Sequence, residues 1–255
     1  MIWNPTIRKF LTLNKPEKSW MNTMVFLGYD PINNKHKVLC MPFNETIDEC
    51  RVLTLGSAQG SWRKIKTNHK YLIRGYDTNY KCINGVLYYK AYADQPDNAD
   101  TIIMSFDVRS EKFHMIKFPW NNIRYCGELR LYKGMLACTR SNYPGQGITL
   151  WILQDAEKHV WSPKNLLQPF SYYDQSFKII CNLIGFTDSG ELVYVPVRCY
   201  KSFYVLYYDP ERNRFHRVEY KGIADDESRL KHGLVKSRLF NIPIVSNHME
   251  SLMSF

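Results

Sequence analysis

The chain has 255 residues, 45% of them hydrophobic and 15% aromatic, which is enough apolar side chain for a packed core and too much for a disordered tail. Its 34 Lys plus Arg against 24 Asp plus Glu leave a formal charge of +10, but the cations are scattered and build no arm of the kind that grips nucleic acid. With 18 Tyr, 13 Phe and 6 Trp against only 13 Gly and 12 Pro, the composition favours strands and argues against a helical bundle.

In chain order, the first punctuation is Asn4-Pro-Thr, and Phe10 stands six residues after Asn4. The same offset recurs from Gly56 to Trp62, Asp107 to Phe113, Asp155 to Trp161 and Asp209 to Phe215. Each of these last four is preceded by another turn signal: Asn34, Asn84-Gly85, Lys133-Gly134 and Asp188-Ser189-Gly190. Asn-Gly and Ser-Gly accept the positive φ of tight hairpins, while Asp followed by polar residues turns the chain by bonding backbone N–H groups ahead of it. Each unit therefore reads as two hairpins, or four antiparallel strands, in roughly 50 residues, the size of a propeller blade.

This register predicts an all-β, kelch-like β-propeller of about five or six four-stranded antiparallel blades with an incomplete N-terminal blade. One domain is expected over residues 1–255: a half blade at 1–15, blades at 20–66, 71–118, 126–166 and 178–221, and a C-terminal closing segment at 222–255. In that last segment Leu234–Val245 is expected to supply closing strands, and Asp225–Lys231 a short helix or a polar loop.

Little in the chain promises chemistry. The seven cysteines, at 40, 50, 82, 126, 138, 181 and 199, form no CxxC pair, so no zinc site is expected, and neither is any cofactor. No uncharged apolar run approaches the roughly 18 residues that span a bilayer, so the expectation is an intracellular protein, cytoplasmic or nuclear, with reduced thiols and no membrane partner. Gly145-Gln-Gly147 is too short for a phosphate cradle, and no G-x-S-x-G elbow occurs. His114, His159 and His216 fall at or beside one position of successive repeats, and Asp107, Asp155 and Asp209 are turn formers. Recurrence of that kind points to blade packing, not to a catalytic site.

Binding is expected on the face that carries the longer, variable connections, because loops on a rigid scaffold are where recognition concentrates. These connections bring Tyr71, Arg74, Tyr76, Tyr80, Trp120, Arg124, Tyr125, Tyr143, Tyr172, Tyr173 and Tyr200 to one side, the aromatic and arginine composition of interface anchors. The alternative for many of these rings is to wedge between blades.

The ordered set Trp3-Asn-Pro-Thr, Phe26-Leu-Gly-Tyr-Asp-Pro31, Lys35-His-Lys-Val-Leu39, Val52-Leu-Thr-Leu-Gly-Ser57 and Ser61-Trp-Arg-Lys-Ile65 resembles the plant F-box associated domain, type 3. Cys82–Tyr89, Ser105–Phe113, Leu150–Trp161 and the closing Asn247–Leu252 continue the likeness over nearly the whole chain. The resemblance implies a non-catalytic module that holds the protein to be ubiquitinated by an SCF-type ligase. The family places an F-box ahead of the Asn-Pro-Thr motif. Here Met1 lies three residues before it, so docking on a Skp1-like adaptor is expected only if an F-box is supplied upstream. Two other readings stay open: an enzyme or small-molecule sensor at a central channel, and carbohydrate or nucleic-acid binding through the positive charge.

Overall fold

The computed structural model describes residues 2–4, 6–14, 16, 22–56, 60–74, 79–94, 100–120, 127–141, 147–166, 173–174, 179–199, 203–221, 226–231 and 239–240. Among the described residues the protein is built from antiparallel strands, with one short helix, α1 (Asp226–Lys231), where the sequence allows one.

A hairpin of β1 (Ile2–Asn4) and β2 (Lys9–Leu11) opens the chain. The first repeat follows as β3 (Thr23–Asp30), β4 (Lys35–Pro42), β5 (Thr46–Thr54) and β6 (Arg63–Leu72). The second is β7 (Lys81–Ile83), β8 (Val86–Ala93), β9 (Thr101–Asp107) and β10 (Phe113–Lys117). The third is β11 (Leu129–Tyr132), β12 (Met135–Ser141), β13 (Ile148–Asp155) and β14 (Val160–Leu166). After β15 (Tyr173–Asp174), the fourth comprises β16 (Ile179–Phe186), β17 (Leu192–Pro196), β19 (Phe203–Asp209) and β20 (Arg214–Tyr220). Between β17 and β19 lies β18 (Arg198–Cys199), which pairs with β21 (Leu239–Phe240); of the segment expected to supply closing strands, only β21 falls among the described residues.

Within each repeat neighbouring strands are antiparallel, and among the described residues no sheet closes on itself. The first two repeats share one eight-stranded sheet, because the end of β6 pairs with β8, Tyr71 opposite Ala93 and Leu72 opposite Tyr92. The described residues fall into two compact units, 2–129 with the hairpin tip 153–162, and 130–152 with 163–240.

Alternation along the strands sets the cores. In β3 every second residue from Met24 is buried, and in β8 every second one from Leu87 to Ala91. In the first unit Phe26, Leu39, Met41 and Ile47 meet Leu87, Met104, Phe106 and Phe113 of the second repeat. Each fully buried side chain of this kind contributes about 1.5–3 kcal/mol. A smaller cluster packs Ile2, Leu11 and Leu13 of the opening hairpin on Val38, Leu53 and Leu55. In the second unit Tyr132, Leu150 and Ile152 pack with Phe186, Tyr194 and Leu206.

The turns share one chemistry. Asn4, Asp30, Asp107, Asp155 and Asp209 each accept a backbone N–H from two or three residues ahead, at 3.0 Å from Thr6, 3.0 Å from Ile32, 2.6 Å from Ser110, 2.9 Å from Lys158 and 2.9 Å from Glu211. Four residues after each stands a left-handed residue, respectively Arg8, Asn34, Glu111, His159 and Asn213, with φ between 49° and 59°. His159 is thus a turn residue, whereas His114 and His216 lie on strands. The hydrogen bonds from Lys158 hold the Asp155 carboxyl below its usual range, the backbone one most of all. Asn84-Gly85 and Lys133-Gly134 take two successive positive φ values, 49° and 83°, and 48° and 78°, whereas in Asp188-Ser189-Gly190 only Gly190 is positive, at 95°.

Two devices were not legible as motifs. Trp62 Nε1 donates to the Asn14 carbonyl at 2.7 Å and Trp161 Nε1 to the Lys117 carbonyl at 3.0 Å, so the tryptophan that follows the turn ties its own repeat to the preceding hairpin or repeat. In β16 the register shifts between Leu183 and Gly185; the guanidinium of Arg130 on β11 donates to the Leu183 carbonyl at 2.7 Å and also to that of Ile184. A bulge strands carbonyls from the ladder, and a buried cation from the adjoining repeat satisfies them.

Candidate interaction surface

The described part of the loop face is built where β4, β5, β6 and β8 end together. Asn44, left-handed at φ 61°, lets the β4–β5 connection turn sharply and sends its N–H to the Ile73 carbonyl at 3.0 Å. The Thr46 hydroxyl donates to Asp94 Oδ2 at 3.2 Å, which ties the start of β5 to the end of β8. The Arg74 guanidinium lies 5.9 Å from the ring centre of Tyr92. At an exposed site such a contact contributes about 0.5–1 kcal/mol, enough to bias the arginine toward one orientation. Asn44, Glu45, Thr46, Arg74 and Asp94 are exposed, so the patch offers donors, acceptors and a ring edge side by side.

Beneath it the backbone is held by packing. Tyr71, expected in a connecting loop, is instead in β6 and wholly buried, its hydroxyl 2.8 Å from that of Tyr89. Burial pushes both phenols above their ordinary range, so they stay neutral and share a hydrogen bond. Tyr71 therefore gives a partner no surface. The segment before it, Lys66-Thr-Asn-His-Lys70, reads as a polar loop but is a strand that exposes alternate side chains. Tyr80 also wedges inward: its ring meets Phe26 edge-on at 5.0 Å, and its hydroxyl accepts the Leu27 N–H at 3.4 Å.

Of the remaining expected residues, Arg74 is on the surface, and Trp120 is half-buried with its ring 5.3 Å from Phe118. Tyr173 contributes its backbone to β15, opposite Ile180. Tyr76, Arg124, Tyr125, Tyr143, Tyr172 and Tyr200 lie outside the described residues. Sequence reasoning missed Tyr92, because the strand β8 runs further than its turn signals suggest. It also missed Trp3 and Phe10, which are 57% and 61% exposed. The six-residue offset identified Phe10, but no offset tells a buried ring from an open one.

Among the described residues no group of three His, Cys, Asp or Glu could hold a metal ion, and no helix is long and apolar enough to cross a membrane. Burial pushes the Cys40 thiol up to about 11 and the Cys50 thiol up to about 12, which leaves both protonated and poor nucleophiles at neutral pH.

The sequence matches the family model of the F-box associated beta propeller domain over residues 1–249. The chain belongs to that family. It is 51% identical over 256 residues to an Arabidopsis thaliana protein named "Putative F-box protein At1g47790", a match that covers 100% of this chain and 64% of the relative. It is 44% identical over 260 residues to "Putative F-box protein At1g47730" and 40% identical over 261 residues to "F-box protein At1g48060", both of A. thaliana. Each match covers 100% of this chain, and 65% and 62% of the respective relative. The domain thus spans less than two thirds of the length of these relatives.

Proposed function

We propose that this domain is a non-catalytic substrate-recognition module of an SCF-type ubiquitin ligase. The observation that carries the reading is the loop-end patch of Arg74, Tyr92, Asp94 and Thr46, set on a rigid sheet in a chain whose relatives are named F-box proteins. Catalysis would need titratable groups convergent on one point, whereas a patch of exposed hydrogen-bonding groups beside an aromatic ring is suited to gripping a protein surface.

In this reading the four-stranded repeats are blades of a kelch-like propeller of five or six. The opening hairpin is a half blade, and residues 222–255 close the ring. Trp120, Tyr76, Arg124, Tyr125, Tyr143, Tyr172, Tyr173 and Tyr200 are further candidate contacts in this reading, while Tyr71 and Tyr80 support the Arg74 patch from below. Docking on a Skp1-like adaptor belongs to an F-box and not to this domain.

Proximity labelling in plant cells tests the reading. The domain fused behind an F-box should label a defined set of proteins whose abundance rises when the proteasome is inhibited. The double variant Arg74→Ala, Tyr92→Ala should lose that set and keep its melting temperature. Equal labelling by the variant would overturn this surface as the recognition site. Adaptor binding by the 255-residue chain alone would overturn the division of labour.

A further inference from the structure

The opening hairpin carries two faces of unequal fate. One face is anchored, with Ile2, Leu11 and Leu13 packed on the first repeat. On the other, Trp3 and Phe10 are direct cross-strand partners whose rings stack at 6.1 Å with planes 20° apart, yet they remain 57% and 61% exposed. Two large rings ordered against each other and open to water are costly to leave bare and inexpensive to bury on a partner, since little rotamer freedom remains to be lost.

The second repeat buries the equivalent pair, whereas in the fourth repeat Tyr208 is buried and its partner Phe215 is 54% exposed. Phe106 and Phe113 occupy the corresponding places around Asp107, also as direct partners, with rings 4.8 Å apart, and there they are 0% and 3% exposed within the core. The rim around Trp3 and Phe10 gives the chemistry of the occupant. Arg8 and Lys9 are exposed at the turn that joins the two strands, and the segment 2–14 contains no acidic residue. Turn geometry fixes where the arginine starts, because the Asn4 side chain accepts the Thr6 N–H and Arg8 is held at φ 53°.

We propose that this face docks a partner protein through an apolar side chain flanked by carboxylates: the anchor lies on the Trp3–Phe10 pair and the acids meet Arg8 and Lys9. A second copy of the chain is disfavoured, because face-to-face association would bring the two Arg8–Lys9 pairs together. The proposal rests on the protein-binding reading above and adds a second contact, remote in sequence from Arg74.

The test uses a fluorescein-labelled peptide, Glu-Asp-Leu-Phe-Glu-Asp, and its counterpart Lys-Arg-Leu-Phe-Lys-Arg, titrated into the whole chain and followed by anisotropy. The acidic peptide should bind at least tenfold more tightly than the basic one, and weaken several-fold between about 50 and 300 mM salt. Trp3→Ala should reduce binding at least tenfold, and Arg8→Glu with Lys9→Glu should reduce it further. The second pair should fold, since glutamate already stands at the equivalent left-handed position, Glu111. Circular dichroism and melting curves confirm that folding. Absence of binding, equal binding of both peptides, or unchanged binding by Trp3→Ala would each overturn the proposal. So would sedimentation of the wild type as a dimer that Trp3→Ala dissolves, which would make the occupant a second copy. The Arg74→Ala, Tyr92→Ala variant should keep the peptide while losing its labelled proteins, so failure here and failure of the substrate surface are separable.

Discussion

The opening hairpin and the outer hairpin of the second repeat are nearly one local structure placed in two settings. Asn4 and Asp107 begin the turns, Arg8 and Glu111 take the left-handed position at φ 53° and 59°, and Trp3–Phe10 and Phe106–Phe113 are the facing aromatic pairs. The difference lies in what covers them. In the second repeat the pair is sealed into the core and Glu111 is captured, accepting hydrogen bonds from Lys37 at 2.7 Å and from Arg63 at 2.6 and 3.1 Å. In the opening hairpin the rings face solvent and Arg8 is exposed. Local sequence therefore fixes the turn and the register, while burial is decided by neighbouring sheets.

The largest effect that sharpens this comparison should come from Phe106→Ala. Truncating a wholly buried ring removes its burial and leaves a cavity, a loss of about 3–5 kcal/mol. Thermal unfolding should show a fall of roughly 10 °C. A change below about 1 kcal/mol would mean that the second repeat is no better sealed than the opening hairpin.

Glu111 comes next. Burial alone would raise its carboxyl, but the hydrogen bonds from Arg63 and Lys37 outweigh it and hold the group below its ordinary range. A folded-state value below the unfolded one adds stability that is fully present above the ordinary glutamate range and lost as pH falls through the lowered value. Glu111→Gln should cost about 1–3 kcal/mol at pH 7, with most of the difference gone in acid. Glu111→Gly separates two terms, since glycine relieves a left-handed conformation worth about 1–2 kcal/mol while losing the ion pairs. A glycine variant more stable than Glu111→Gln at pH 7 would show the strain directly. One more stable than wild type would show that the ion pairs contribute less than the strain costs.

These features differ in how plainly they could be read from the chain. The turns were legible because Asn-Gly, Ser-Gly and Asp-Pro carry their backbone preference with them, and Asp107, Asp155 and Asp209 bond the N–H groups their positions predict. The strand character of the repeats was legible from the aromatic-rich composition and the spacing of the turns, whereas Met24–Tyr29 and Val86–Tyr89 are nearly continuous apolar runs that alternate only in burial. Strand ends were not: Lys66–Lys70 is polar in composition, yet it runs on as β6 and carries Tyr71 into the core. Side-chain fate across sheets was beyond reach as well. The Arg130 contacts depend on a bulge 53 and 54 residues away, and nothing local marks Arg130 as a buried cation. For the loop face, Arg74 was found by its residue type, and Tyr92 was missed because its role depends on the pairing of β6 with β8.

Removing the turn acceptor should give an intermediate effect of similar size in both hairpins. Asp107→Ala and Asn4→Ala each lose a side-chain bond to a backbone N–H, worth about 1 kcal/mol, because this contact is local and does not depend on what lies overhead. Urea titration at constant m-value would measure it. A much larger loss for Asp107 would mean that the ion pairs of Glu111 depend on that turn, and that the two hairpins differ even in their local geometry.

The smallest effect is the most diagnostic. Trp3→Ala removes a ring that is 57% exposed, so most of its apolar area stays in water in the folded chain and little stability should be lost, about 0.5 kcal/mol or less once the stacking on Phe10 is included. Leu11→Ala, on the anchored face of the same hairpin, supplies the internal scale and should cost more, about 1–2 kcal/mol. If Trp3→Ala instead approaches the cost of Phe106→Ala, the rings are sealed by another part of the folded chain, and the contrast between the two hairpins disappears. If it matches the small value while Leu11→Ala does not, the hairpin is held by one face only, and the aromatic pair is kept for contacts made outside the chain.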